Sequence, residues 1–217
     1  MKYTHCIWDF NGTLLDDMSA GIRAVNDLLR KRDLPCIEDI NAYRRVFGFP
    51  VKDYYERLGF DFSIEPYDVI AHEWVALYLR YVEDCGLSRG AEETIRAFDD
   101  SDLTQILLSA TEKDMLESQL DSLGLKNVFS EVLGLDNIFA TSKVNIALEW
   151  RKNNPYAKAF VIGDTEHDLA VAKAIGADCY LLSCGHQSRE RLEKSGAPVF
   201  DGLCELVEYF KKNGFLQ

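Results

Sequence analysis

Ile7-Trp8-Asp9-Phe10-Asn11-Gly12-Thr13-Leu14-Leu15-Asp16 joins an apolar run to one carboxylate, a tight Asn-Gly turn, a hydroxyl and a further acid. The residues from Tyr3 to Trp8 are rich in strand formers, so a strand is predicted there, ending at Asp9. A strand this apolar does not face water, which makes it a buried central strand. In open α/β sheets, ligands sit at the carboxyl ends of the strands. Asp9 is therefore expected at that rim, with Gly12 letting the backbone approach an anion.

Downstream of this stretch the chain reads as helical. Met18, Ile22, Val25, Leu28 and Leu29 recur at helical spacing over residues 17 to 31, with Asp16 or Asp17 as the cap. Two short helices are predicted between 38 and 59, separated by Phe47-Gly48-Phe49-Pro50, because Gly48 and Pro50 interrupt a continuous helix. Ile70, Trp74, Leu77, Tyr78 and Tyr81 share one face of a long helix over 66 to 83. From 91 onward helices and strands alternate. Strands are expected at 104–108, 132–133, 159–162, 178–182 and 199–200, with helices at 91–98, after Thr111, at 143–151, at 166–175 and from Gly202. Thr111 and Asp114 have capping-box spacing, Ser142 is placed to cap the helix after it, and Gly176 stops the one before it. This alternation implies an α/β, doubly wound, mostly parallel sheet. The core is read as residues 1–15 and 86–217, with residues 16–85 as an inserted all-helical cap.

Composition narrows the function. A net charge of −12 argues against nucleic acid or an anionic membrane as the main partner. It leaves room for a small phosphorylated metabolite, since a bound metal ion inverts the local sign. No apolar stretch reaches membrane-span length and no apolar leader opens the chain, so a cytoplasmic setting is expected. Cys6, Cys36, Cys85, Cys179, Cys184 and Cys204 are scattered, with no Cys-x-x-Cys pair. They read as reduced, mostly buried thiols, not as a disulfide framework or a zinc site.

Four places set polar residues just past a predicted strand or at a helix start: Asp9 to Thr13, Ser109, Lys143, and Gly163-Asp164-Thr165-Glu166-His167-Asp168. Each also has a plain structural reading. Asp9 caps a turn, Ser109 ends a strand, Lys143 lies in a solvated first turn, Thr165 and Asp168 form a capping box, and His167 is a surface histidine. Taken together and in this order, the four resemble the motifs of the haloacid dehalogenase superfamily of phosphoryl-transfer enzymes. The helical insertion resembles the cap of its phosphoglycolate-phosphatase-like members. The resemblance implies that Asp9 is the phosphoryl-accepting nucleophile and also a metal ligand. The Asn11 backbone carbonyl, Asp164 and Asp168 complete the metal set. Ser109 and the Ala110 amide hold the phosphoryl oxygens, alongside Gly12 and Thr13, and Lys143 balances charge between Asp9 and the phosphate. An all-oxygen ligand set beside a phosphate suggests Mg²⁺. Arg44-Arg45-Val46-Phe47-Gly48-Phe49-Pro50 resembles the family's substrate-facing loop, which would set Arg45 or Arg44 against an anionic leaving group. Lys52 has no assigned role.

The family motif usually reads Asp-x-Asp-Gly-Thr, and this chain has Asn11 at the second aspartate. That aspartate protonates the leaving alcohol and then activates water. An amide does neither, and general acid–base help is worth roughly 10²–10⁴-fold. Four readings follow: a substrate with a good leaving group, a replacement proton carrier from the cap, a protein that binds phosphorylated ligands without turnover, or an inactivating or deamidating residue 11. The expected function is a Mg²⁺-dependent phosphohydrolase. Its rival is a non-catalytic or regulatory phosphate-ligand-binding member of the same fold.

Overall fold

The computed structural model describes residues 3–139 and 142–216. Its strands are β1 (His5–Trp8), β2 (Thr104–Glu112), β3 (Glu131–Leu135), β4 (Ala159–Gly163), β5 (Asp178–Leu182) and β6 (Val199–Phe200). Its helices are α1 (Met18–Lys31), α2 (Ile40–Val46), α3 (Val51–Arg57), α4 (Tyr67–Val82), α5 (Ala91–Asp99), α6 (Lys113–Ser122), α7 (Val144–Asn153), α8 (Glu166–Ile175), α9 (Arg189–Glu193) and α10 (Leu203–Lys212).

All strand pairs are parallel, in the order β3-β2-β1-β4-β5-β6. The order reverses at β1, so the crevice of the sheet opens where β1 and β4 end side by side. Trp8 pairs with Ile162 across that boundary, which sets Asp9 and Asp164 just beyond the same rim. The side chains alternate as a sheet covered on both faces requires. Cys6, Trp8, Phe160 and Ile162 pack with Ile95, Phe98, Leu116, Leu206 and Phe210 on one face. Ile7, Val161 and Leu181 pack with Ala147, Trp150, Val171 and Ala172 on the other. The Trp8 indole N–H is not left bare in this core. It donates to Gln105 Oε1 at 3.0 Å, and Gln105 Nε2 donates to the Ile95 carbonyl at 3.0 Å.

Helices α1 to α4 build a separate apolar cluster around Val25, Leu28, Leu29, Tyr43, Tyr54, Tyr55, Phe60 and Ile70. The two chain crossings into this segment run together: Asp16 N donates to Gly86 O at 3.0 Å and Ser88 N to Leu14 O at 2.8 Å. Arg32 on the far side holds Glu65 at 2.6 Å and Glu73 at 2.8 Å.

The structure departs from several expectations. Strand β2 runs on to Glu112 through a register shift between Leu108 and Glu112. The cap of α6 is Glu112, whose carboxylate accepts from Asp114 N at 3.2 Å and Met115 N at 2.9 Å. Thr111 does not cap it, because its hydroxyl is engaged by Asn11. Asp17 precedes α1 without capping it by its side chain, which turns inward instead. The short helix α9 was not expected. Only Cys6 and Cys179 are buried, so the thiols are free, as expected, but not mostly buried. No helix among the described residues is long and apolar enough to cross a membrane.

Candidate active site

Three buried carboxylates, Asp9, Asp164 and Asp168, each offer an oxygen, and these oxygens lie within 4.8 Å of one another. Asp9 follows β1, Asp164 follows β4, and Asp168 sits in the first turn of α8. Asp168 divides its work. Its Oδ2 accepts from the Thr165 backbone N at 3.0 Å and the Thr165 hydroxyl at 2.7 Å, so it does cap α8. Its Oδ1 faces Lys143 Nζ at 2.7 Å as an ion pair without hydrogen-bond alignment. The structural and chemical readings of this residue therefore hold together. Lys143 also pairs with Asp9 Oδ1 and donates to the Leu108 carbonyl at 3.0 Å.

One ammonium faces three carboxylates, and the titration of each group reflects that imbalance. Burial pushes Asp9 well up and the Asp168 charge adds to it, with Lys143 opposing. Burial raises Asp164 to about 6. Burial would raise Asp168 too, but the ion pair with Lys143 and the hydrogen bond from Thr165 outweigh it and hold it low. Burial would lower Lys143, yet Asp168 and Asp9 hold it well above its ordinary value. Three clustered carboxyl groups with hard oxygen donors and one paired ammonium are the kind of set that a divalent cation such as Mg²⁺ would hold in the ionised form. The residues present fit that ion.

Around this centre the expected residues fall into two groups. Ser109 and Ala110 line a cavity of about 60 Å³ together with Asp9, Asn11, Lys143, Asp164, Thr165, His167 and His186. Gly12 and Thr13 are not on its lining. Thr13 is buried behind the carboxylates, its hydroxyl within 3.2 Å of Asp9 Oδ2 and 3.3 Å of Asp164 Oδ1. Gly12 N is engaged by Asp17 Oδ1 at 2.9 Å. Gly12 has φ +73°, and a Cβ there would collide with the His186 ring and Asp164. Arg45 is exposed on α2 and lines neither this cavity nor its larger neighbour. Arg44 donates to the Gly185 and Cys184 carbonyls, clamping α2 to the loop after β5 instead of facing a ligand. Lys52 lies over the Phe62 ring at 5.3 Å, away from the centre. His167 is half-buried. Its ring lies 4.5 Å from that of Phe49 and its Nε2 is 3.1 Å from Ser142 Oγ. Burial and then the Lys143 charge push its pKa down to about 4.

The side chain at position 11 is held from both sides. Asn11 Nδ2 donates to Asp17 Oδ2 at 2.9 Å and to Tyr78 Oη at 2.9 Å. Its Oδ1 accepts from Thr111 Oγ1 at 2.7 Å and Ser109 Oγ at 3.4 Å. Asp17 also accepts from Tyr78 at 2.7 Å and lies 3.5 Å from His186 Nε2. Burial would lower His186, but the Asp17 hydrogen bond and the Asp164 and Asp17 charges lift it to about 9. Its other ring nitrogen is 2.7 Å from Tyr43 Oη, and its backbone N–H donates to Asp164. Sequence reasoning missed Asp17, Tyr43, Tyr78, Thr111 and His186. A signal existed for His186: Ser183-Cys184-Gly185-His186 follows an apolar strand, so it obeys the same rim rule that located Asp9 and Asp164.

Comparison with known proteins agrees with this fold. The profile of the haloacid dehalogenase-like hydrolase family matches residues 6–182. A phosphoglycolate phosphatase of Pseudomonas savastanoi pv. phaseolicola is 24% identical, over 93% of this chain and 77% of its own length. The "Probable phosphatase IndB" of Dickeya dadantii is 25% identical, over 93% of this chain and 90% of its own. Among solved structures, a haloacid dehalogenase-like family protein of Streptococcus pneumoniae superposes with a TM-score of 0.77 at 17% identity, covering 96% of this chain and 99% of that one. CbbY of Rhodobacter sphaeroides, solved in complex with phosphate, gives 0.67 at 18% identity, covering 94% and 96%. The chain belongs to the haloacid dehalogenase-like hydrolase family.

Proposed function

We propose that the protein is a Mg²⁺-dependent phosphohydrolase acting on a small phosphorylated metabolite through an aspartyl-phosphate on Asp9. The observation that carries this reading is the buried Asp9–Lys143–Asp168 arrangement, with Asp164 beside it in the crevice between β1 and β4. Asp9, Asp164, Asp168 and the Asn11 carbonyl would hold the ion. When bound, it supplies charge neutralisation for the phosphoryl oxygens. The chain's own residues do the rest. Lys143 pairs with Asp9, opposes the rise that burial imposes on it, and draws phosphoryl oxygens toward it. The Ser109 hydroxyl and Ala110 amide orient the phosphate against Asp9 on the cavity wall. Oxygen attack by the Asp9 carboxylate divides one displacement into two.

The helical segment 16–85 acts as the cap and shields these steps from bulk water. Arg44 and the Tyr43–His186 contact hold it against the core. Asn11 is bound too tightly to Asp17, Tyr78 and Thr111 to be a loose polar residue, but it carries no exchangeable acid. Esters with poor leaving groups are therefore turned over slowly. Six free cysteines support a reducing, cytoplasmic setting. The test is phosphate release from a panel of esters and anhydrides, with and without Mg²⁺, for wild type, Asp9→Asn and Asn11→Asp. Turnover that needs both Mg²⁺ and Asp9 supports the reading. Turnover indifferent to Asp9, or none in either wild type or Asn11→Asp, sinks it.

A further inference from the structure

A second cavity of about 130 Å³ adjoins the first, sharing Asn11, Phe47, Phe49, Ala110 and His186 as common wall. Its wall is aromatic. Tyr54 meets Tyr43 and Phe47 edge to face, at 6.1 Å and 5.3 Å between ring centres. Trp74 and Tyr78 stack at 4.7 Å on the same lining. Among the described residues no lysine or arginine lines it. Its acids are Asp17 and Glu112, and both His186 ring nitrogens already have neighbours, Nε2 at 3.5 Å from Asp17 and Nδ1 at 2.7 Å from Tyr43 Oη. A substrate whose leaving group bears a carboxylate, as glycolate does, finds no lysine or arginine here.

Two observations show that the space is built for a guest. Gly21 lies buried on α1 and lines the cavity, yet a Cβ there would meet nothing within 4 Å. The second is its place: it shares Asn11, Phe47 and His186 with the phosphate cavity, within reach of a group attached to a phosphate there. Size limits the guest. An apolar cavity of about 150 Å³ holds one benzene, so this one takes a single ring. Aromatic walls favour an aromatic ring, by edge and offset contacts.

Building on the phosphohydrolase reading, we propose that the substrate is the phosphate monoester of a single-ring phenol, its ring in the aromatic cavity and its phosphate beside Asp9. This substrate class also accounts for Asn11. A phenol has a pKa of about 10, far below the roughly 16 of water or an alkyl alcohol, so its oxide departs without a proton donor. The P–O(aryl) bond breaks with its electron pair leaving on the phenolate oxygen, as the P–O bond to Asp9 forms. Water then bonds to phosphorus and frees the Asp9 carboxylate. One of its protons ends on the phenolate and the other on phosphate, so ester plus water gives phenol plus inorganic phosphate.

The test separates this proposal from the reading beneath it. Affinities of benzylphosphonate, ethylphosphonate and 3-phosphonopropionate, the uncleavable isosteres of phenyl phosphate, methyl phosphate and phosphoglycolate, are measured by calorimetry on the full chain with Mg²⁺. Benzylphosphonate should bind about 30-fold more tightly than ethylphosphonate, from the extra apolar surface of the ring. A Gly21→Leu variant, which fills the empty space, should remove most of that difference. Equal phosphonate affinities, or tightest binding of 3-phosphonopropionate, overturn the proposal even if phosphate esters are hydrolysed. Selective binding of benzylphosphonate without Asp9-dependent hydrolysis of any ester upholds the ring site and overturns the phosphohydrolase reading instead.

Discussion

Replacing Asn11 with aspartate should convert the protein into a competent alkyl phosphatase. The Asn11 amide lies 2.9 Å from Asp17 Oδ2. An aspartate in the same pose puts two carboxylates at that separation. At an effective dielectric of about 20 their mutual repulsion is about 6 kcal/mol, or about four pKa units. Residue 11 therefore keeps its proton at neutral pH and donates it to Asp17, while its other oxygen still accepts from Thr111. The result is a neutral carboxylic acid on the wall of the phosphate cavity, the group a departing alkoxide requires. Methyl phosphate should gain roughly 10²–10⁴-fold in kcat/KM. Phenyl phosphate, whose leaving group needs little acid, should gain about tenfold or less. Phosphate release from both esters with saturating Mg²⁺ measures this directly. Equal gains for the two, or none for methyl phosphate, would refute the assignment of position 11 as the missing acid.

Other perturbations probe the same structure. Lys143→Met leaves Asp9 and Asp168 buried without their cation and should lower the unfolding free energy by about 3–5 kcal/mol, with part recovered when Mg²⁺ is added during denaturant melts. Gly12→Ala, at φ +73° and against His186, should cost about 1–3 kcal/mol and reduce turnover more than Gly→Ala at the unobstructed Gly176, which shares a positive φ. Trp8→Phe strands Gln105 Oε1 in the core and should cost about 1–3 kcal/mol in the same melts. In the cap, the Arg32 hydrogen bond holds Glu65 below its ordinary 4.5. Burial would raise Glu73, but the bonds from Lys31 and Arg32 hold it low as well. Acids lowered by folding stabilise the native state above their unfolded pKa and lose that contribution as pH falls through the folded one. The stability gap between wild type and Arg32→Gln should thus be level from about pH 7 to 5 and shrink below about 4.5. A gap that widens on acidification would show the sign to be wrong.

The sheet and its rim were legible because Asp9 and Asp164 each follow a run of apolar strand formers, and buried parallel strands leave that mark whatever surrounds them. The helical segment was legible from periodicity alone. Asp17 was not, since Asp16 and Asp17 look alike as helix caps, and only the fold shows that one is exposed and the other buried against Gly12 and Asn11. Ser109 and Thr111 looked like the end of a strand, yet their hydroxyls find partners in each other and in Asn11, which lets β2 continue. Arg45 lies exposed on α2, and a charge in that stretch reads the same whether it faces a ligand or solvent. The aromatic cavity was hidden for another reason. Tyr43, Tyr54 and Trp74 sit at spacings that any helix core would show, and a pattern of residues does not reveal a void between them.

Trapping the covalent species tests the central chemistry most directly. Wild-type protein is mixed with phenyl phosphate and Mg²⁺, quenched in acid within the first turnover, and its peptides are weighed. A phosphoryl group on the peptide that carries Asp9, absent without Mg²⁺ and absent in Asp9→Asn, is the expected result. Hydrolysis that proceeds with no such adduct, or an adduct on any other residue, would contradict Asp9 as the attacking group.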